Sequence, residues 1–360
     1  MLTYKRYSFY LLAFVVCFLL YNAAVWKIFT ERLLTDRYSE GGDLARMGYV
    51  SGSKYYRGNS IDLPRRHLEF EDYKGGPIDV LVIGDSFSNG SNGGENRYYQ
   101  DYIASLYNLR VLNVKPFIDL DFLTLAACFA NNGFLDTVRP RYLIISSTEK
   151  FCIERFAKRI DFGTNLSMAK LAAFRQYDFR PFSDENAGDD NQLRFGMINE
   201  GNFKFFLYKI FYRYSDHAFF SKTYKKSLYV PLFTVKDGTT LLFYRDDVKN
   251  IGYSVQGTME LLNDNLNRLA DKLADKGIKL YFMPCVDKYN LYSEFIIDNS
   301  YPNSRFFELL RPLPKRYTLI DTKAILLPEV RKGVKDVYYA DDTHWSCKAS
   351  EKIFKSVKFD

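Results

Sequence analysis

Val80-Leu81-Val82-Ile83 runs without a polar interruption into Gly84-Asp85-Ser86. Gly75-Gly76-Pro77 breaks the chain before this run, and Gly84 turns it sharply afterwards. A short, wholly apolar run bounded in this way reads as a strand buried on both faces, the kind found in parallel sheets covered by helices. The alternation then continues. Arg97 to Leu109 reads as a helix, Arg110 to Val114 as a strand, Leu120 to Asn132 as a helix and Arg141 to Ser146 as a strand. Further on, Met259, Leu262, Leu266, Leu269, Ala270 and Leu273 recur at helical spacing, and Gly277 closes that helix. Ile278 to Met283 is a fourth strand, Tyr317 to Ile320 a short fifth, and Ser346 to Val357 a final helix. The pattern predicts an α/β fold around a mostly parallel sheet. It lapses between about 160 and 254, where a stretch rich in Asp, Asn and Gly (184–202) precedes an aromatic helical segment from Phe203 to Tyr214. A hairpin from Leu228 to Tyr244, turning at Asp237-Gly238, is expected next. This region reads as an insertion, since a separate second domain would need a core of its own.

No charged residue lies between Tyr7 and Trp26, while Lys5 and Arg6 precede the run and Lys27 and Arg32 follow it. About twenty such residues match a bilayer-spanning helix. A cleaved signal peptide would have a shorter apolar core ending in a small-x-small site, and Asn22-Ala23-Ala24 is a poor version of one. The expected organisation is a membrane anchor at 1–27, a polar connector at 28–77 and a sheet domain at 78–360 carrying the insertion. With one span, that domain lies on one side, outside the cytoplasm. The formal charge of +7 comes from 50 basic and 43 acidic residues spread along the chain. No arginine-rich run interleaves with aromatics, so the charge reads as a solvated surface facing an anionic membrane or polymer, with no nucleic-acid partner. The five cysteines show no metal-ligand spacing, and neither a metal nor a cofactor is expected. Beyond Cys17, the other four are open to disulfides or to buried free thiols.

The serine at the end of the first strand has a counterpart near the C-terminus, Ala340-Asp341-Asp342-Thr343-His344-Trp345-Ser346. Ligands of open α/β sheets bind beyond the carboxyl ends of the strands, where Ser86 falls. A serine hydroxyl is a weak nucleophile until an imidazole takes its proton and a carboxylate orients that imidazole. His344 is the expected base, with Asp342 or Asp341 as the orienting acid. The other two histidines, His67 in a basic connector and His217 beside Asp216, read as solvated or structural. The bland alternative is that Asp85 and Ser86 only cap a turn.

Together the two blocks resemble the SGNH (GDSL-type) hydrolase superfamily, with the serine block first and the Asp-His block last. The wording Asp342-Thr343-His344-Trp345 resembles a narrower branch, the alginate-acetylation-like O-acetyltransferases of bacterial polysaccharides. Glu154-Arg155 after the third strand, and Pro284 followed by Lys288 and Tyr289, are similar to that branch, as is the single N-terminal membrane segment. The resemblance covers about 78–155 and 255–357, not the insertion. It implies an SGNH-like three-layer α/β/α domain and a Ser-His-Asp triad that forms an acyl-serine. It also implies substrate contacts from Arg155, Trp345 and Lys288. The implied activity is O-acetylation of a cell-envelope polysaccharide or glycan, by a single-pass protein of the inner membrane whose domain is periplasmic or extracellular. A multi-pass membrane acyltransferase is the implied acetyl donor. In the superfamily the usual spacing selects Asp341; the branch selects Asp342. The chain also departs from the pattern. Asn113-Val114-Lys115-Pro116 has no Gly and Ser146-Ser147-Thr148-Glu149 no Asn where oxyanion donors are expected, which leaves the Ser86 N–H, residues near Lys115, Ser147 and Arg155. An esterase or deacetylase on the same polymers, or a non-catalytic glycan-binding scaffold, stay open as alternatives.

Overall fold

The structure, a computed structural model, describes residues 2–35, 42–53, 57, 61–91, 93–118, 120–174, 176 and 196–359. The expected polar stretch lies outside these residues from 184 to 195. Eight strands are present among them: β1 (Leu68–Glu69), β2 (Val80–Gly84), β3 (Val111–Val114), β4 (Tyr142–Thr148), β5 (Thr223–Ser227), β6 (Thr240–Tyr244), β7 (Lys279–Cys285) and β8 (Thr318–Leu319). Six of them form one sheet in the order β1-β3-β2-β4-β7-β8, and every pairing in it is parallel. All residues of β2 and β4 are buried, which is why both read as unbroken apolar runs.

The chain leaves β2 for β3 on one side and then crosses to β4 on the other. The strand order therefore reverses at β2, the place where open α/β sheets bind ligands beyond the carboxyl ends of their strands. Gly84 at the end of β2 pairs with Ser146, and a Cβ at Gly84 would lie 1.9 Å from the Ser88 hydroxyl oxygen. No other residue type fits this turn. Helices Phe122–Asn131, Glu149–Phe156 and Gln256–Ala274 pack together as one layer. Helices Tyr99–Tyr107, Thr322–Arg331 and Cys347–Ser356 form a second group, with Tyr99 stacked 5.2 Å from Phe354. Right-handed crossovers place the two groups on opposite faces of the sheet.

Two boundaries differ from the sequence reading. The connector does not end outside the sheet: Leu68 and Glu69 pair with Leu112 and Asn113 as an edge strand, and Leu44 and Ala45 are fully buried. Nor does the insertion turn at Asp237-Gly238 as a two-residue hairpin. The antiparallel pair is β5 with β6, Thr223 opposite Tyr244 and Ser227 opposite Thr240, joined by a twelve-residue excursion from 228 to 239. Leu228, Leu232 and Phe233 in that excursion are drawn into the main core with Leu241 and Phe243. The insertion thus shares the core of the sheet rather than owning one.

At the N-terminus, helix Leu2–Val25 continues through a π-helical turn, Trp26–Thr30, into Glu31–Leu34. Within Tyr4–Leu34 an 18-residue stretch reaches a mean hydropathy of 2.1, and the helix is long and apolar enough to cross a membrane. Val25, Trp26, Leu33 and Leu34 are buried, whereas most side chains from Tyr4 to Leu20 are exposed. All five cysteines are free thiols, and Cys128, Cys152 and Cys285 are buried.

Candidate active site

From Val80 to Gly90 every residue is buried except Ser86, which is half-buried. Its neighbours hold the turn rigid. The Asp85 carboxylate accepts from the Thr148 N–H (2.8 Å), from the Phe87 N–H (3.3 Å) and from Arg155. The Asn89 amide donates to the carbonyls of Gly84 (3.1 Å) and Asp85 (2.6 Å). Ser88 meets Tyr99 OH at 2.7 Å. With its neighbours tied inward, Ser86 is the residue left partly exposed at the end of β2.

The second block folds back on itself. Tyr338 bridges Trp345, the Ser346 N–H donates to the Val337 carbonyl at 2.9 Å, and Ser346 then caps helix Cys347–Ser356 through the Lys348 N–H. This tight loop carries His344 to Ser86 across 258 positions of sequence, with His344 Nε2 2.8 Å from Ser86 Oγ. His344 Nδ1 lies 2.6 Å from Asp342 Oδ1, and the same oxygen accepts the His344 backbone N–H at 3.0 Å. Of the two adjacent acids, Asp342 is the one that meets the imidazole. Asp341 faces away, accepting from the Gly42 N–H (2.9 Å) and from Arg57 (3.1 and 3.3 Å).

Three residues of the connector complete this arrangement, and the sequence reading missed them. Arg57 bridges the two acids, reaching Asp342 Oδ2 at 3.0 Å as well as Asp341. Asp43 accepts from both the backbone N–H (2.8 Å) and the hydroxyl (2.5 Å) of Thr343. Gly42 is held against the turn so closely that a Cβ there would lie 2.3 Å from the Asp341 carbonyl oxygen. Gly41-Gly42 is a visible turn signal, but nothing in the sequence says where that turn docks.

The charges shape the protonation states. Burial opposes a charge on Asp342, but His344 and Arg57 outweigh it and hold the carboxyl well below its ordinary range. Burial likewise opposes a proton on His344; the fields of Asp342, Asp43 and Asp85 outweigh it and raise the imidazole above 6.5. Asp43 is pushed up to about 6 by burial and by the negative charge of Asp342. Asp43, Asp342 and His344 bring three ligand-type atoms within 4.8 Å of one another. Each of these groups is already engaged, Asp342 with His344 and Asp43 with Thr343.

Of the three residues implied as substrate contacts, Lys288 and Trp345 are buried and Arg155 is partly exposed. Lys288 is buried, and its ammonium donates to the carbonyls of Tyr339 (2.7 Å), Ala340 (3.0 Å) and Asp342 (3.0 Å). It braces the Asp-His loop from beneath, and burial lowers its pKa to about 8. Trp345 is also buried, edge-on to Phe87 at 4.6 Å, with Phe87 in turn 4.7 Å from the His344 ring. It backs Phe87, which in turn packs on the imidazole. Arg155 is partly exposed but pins Asp85 and Ser147. Ser147 donates to the Thr148 carbonyl at 3.2 Å. The Ser86 N–H donates to no described acceptor, and the buried Thr148 hydroxyl has no partner among the described residues. The other histidines stand apart: His67 is held between Asp101 (2.7 Å) and Glu69 (3.0 Å), and His217 stacks on Tyr224. No protein-family model matches the chain, and no curated protein matches it.

Proposed function

We propose that the chain is a membrane-anchored O-acyltransferase of the SGNH type, most similar to the alginate-acetylation-like branch, which moves an acetyl group onto a cell-envelope polysaccharide or glycan outside the cytoplasm. The observation that carries this reading is the continuous hydrogen-bonded line Ser86–His344–Asp342 at the strand-order reversal of a parallel sheet. In the proposed reaction His344 Nε2 takes the Ser86 proton as Oγ attacks the acyl carbonyl of the donor. Asp342 holds the Nδ1–H tautomer and stabilises the imidazolium. The oxyanion is met by the Ser86 N–H, which donates to no described acceptor. Collapse leaves acetyl on Ser86, and His344 returns its proton to the departing donor group. A sugar hydroxyl then gives its proton to His344 and attacks the acetyl-serine; the sugar ester forms, and His344 returns that proton to the departing Ser86 oxygen, which regenerates the free serine and the neutral imidazole.

The apolar N-terminal helix supports anchoring in a membrane; the inner membrane, a domain on its outer side and a multi-pass membrane acyltransferase as acetyl donor belong to the proposal through the family resemblance alone. The test is a paired assay on the full chain with an activated acetyl ester and acetyl-free oligosaccharides. Acetyl should appear on the sugar faster than free acetate, and Ser86→Ala should abolish both. Acetate release alone would make the protein an esterase, and neither product would leave a glycan-binding scaffold.

A further inference from the structure

The insertion helix Gly201–Phe211 has two apolar faces. One packs on the C-terminal end of the N-terminal helix and on the connector: Gly201, Phe205 and Tyr208 are buried, against Leu34, Phe29 and Tyr49 respectively. The other carries Phe203, Phe206, Leu207 and Ile210, spaced i, i+3, i+4, i+7, and these are 46%, 37%, 46% and 53% exposed. The open surface continues onto Phe219, which stacks 5.8 Å from Phe211, and onto Phe220. Lys204, Lys209 and Arg213 flank it, against one acid, Glu200.

What covers this face follows from where the helix is attached. Phe203 lies 6.1 Å from Phe18 and 5.1 Å from Tyr21 on the N-terminal helix, and Phe206 lies 6.4 Å from Tyr21. The attachment is specific. Asn22, a polar residue within the apolar run, is fully buried, and its side-chain oxygen accepts from the Asn202 amide at 2.9 Å. Thr30 donates to Asn202 Oδ1 at 2.6 Å, and Tyr21 OH to the Asn202 carbonyl at 3.1 Å. A polar group inside a bilayer needs such a partner. The uncharged run ends at Lys27. At 1.5 Å per residue, Phe18 and Tyr21 sit about 13 and 9 Å inside that end, and the whole run matches a hydrocarbon core about 30 Å thick. A side chain stacked on them shares their depth.

We propose that helix Gly201–Phe211 is itself a membrane element. It lies in the interfacial layer beside the spanning helix, with Phe203, Phe206, Leu207 and Ile210 among the acyl chains and its basic residues reaching back to the headgroups. This fixes the height and tilt of the domain, and so of Ser86, above the bilayer. The inference rests on the reading of the N-terminal helix as a membrane span.

The test uses the full chain in phosphatidylcholine vesicles, with and without lipids brominated along their acyl chains, which quench nearby tryptophan. In a Trp26→Phe background, where the buried Trp345 gives a constant signal that is subtracted, one further tryptophan is placed by Leu12→Trp in the span, by Leu207→Trp or Ile210→Trp on the open face, or by Leu261→Trp at an exposed position of helix Gln256–Ala274. Emission at 12, 207 and 210 should be lost to brominated lipid and emission at 261 kept. Quenching at 12 without quenching at 207 and 210 overturns the inference and leaves the anchor standing. A blue-shifted but unquenched signal at 207 and 210, as from a second copy of the chain, overturns it equally. No quenching at 12 removes the anchor and the inference with it.

Discussion

At the scale of single residues, two adjacent acids do different work. Asp342 touches the imidazole, whereas Asp341 is fully buried and ties Arg57 and the Gly42 N–H to the turn. Asp342→Asn should therefore lower turnover of a folded protein by on the order of 10⁴, the size seen when a triad carboxylate is lost. Asp341→Asn should instead cost about 3 kcal/mol of stability, because it breaks one side of a buried ion pair, while the folded fraction keeps its activity. Thermal melts beside rates on an activated ester separate the two. Protonation gives a second expectation. His344 must be neutral to accept the serine proton, and its pKa stands above 6.5. Activity should thus fall as pH drops, with the midpoint of kcat/KM above 6.5. Asp43 is one of the charges that raises the imidazole, so Asp43→Asn should move that midpoint to lower pH. An unmoved midpoint would mean that the limb reports another group.

At the scale of elements, the site is a joint between the connector and the Asp-His loop. A Cβ at residue 42 would sit 2.3 Å from the Asp341 carbonyl oxygen and 2.8 Å from the Asp342 Cβ, whereas at Gly52 it would meet nothing within 4 Å. Gly42→Ala should cost about 1–3 kcal/mol, the usual range for overpacking, and displace the acids enough to slow acylation. Gly52→Ala should do neither. The strand ending in Gly84 and Ser86, and the loop carrying His344, could be read from sequence because each is a short local pattern. The clamp by Asp43 and Arg57 could not. Their partners lie 284 to 300 positions away, and the connector has no periodicity to betray its packing. The packing of Lys288 and Trp345 was hidden for a related reason. Residue type suggests a ligand contact, but only packing shows that an ammonium caps three carbonyls and an indole sits behind the imidazole. The expected hairpin failed because Leu228, Leu232 and Phe233 gain more from the core than from strand pairing.

At the scale of the whole molecule, the sheet positions the serine, the connector closes one edge of the sheet, and the insertion joins the domain to the apolar N-terminal helix. The edge strand β1 is held by His67. Burial opposes its charge, but hydrogen bonds to Asp101 and Glu69 outweigh that and raise its pKa from 6.5 to about 9. A folded-state pKa above the unfolded value stabilises fully below 6.5, and that contribution is lost as pH rises through 9. It amounts to on the order of 3 kcal/mol. Urea midpoints should accordingly fall between pH 6 and pH 9.5, and in His67→Gln this fall should shrink; an equal fall in both proteins would assign it elsewhere. The central claim is that Ser86 becomes acylated. Its most direct test is mass analysis of the full-length protein after brief exposure to an activated acetyl ester. The account predicts one acetyl group on the peptide containing Ser86, absent in Ser86→Ala and strongly reduced in Asp342→Asn. A folded wild-type protein with no acetyl on that peptide, or with the same adduct in both variants, would contradict it.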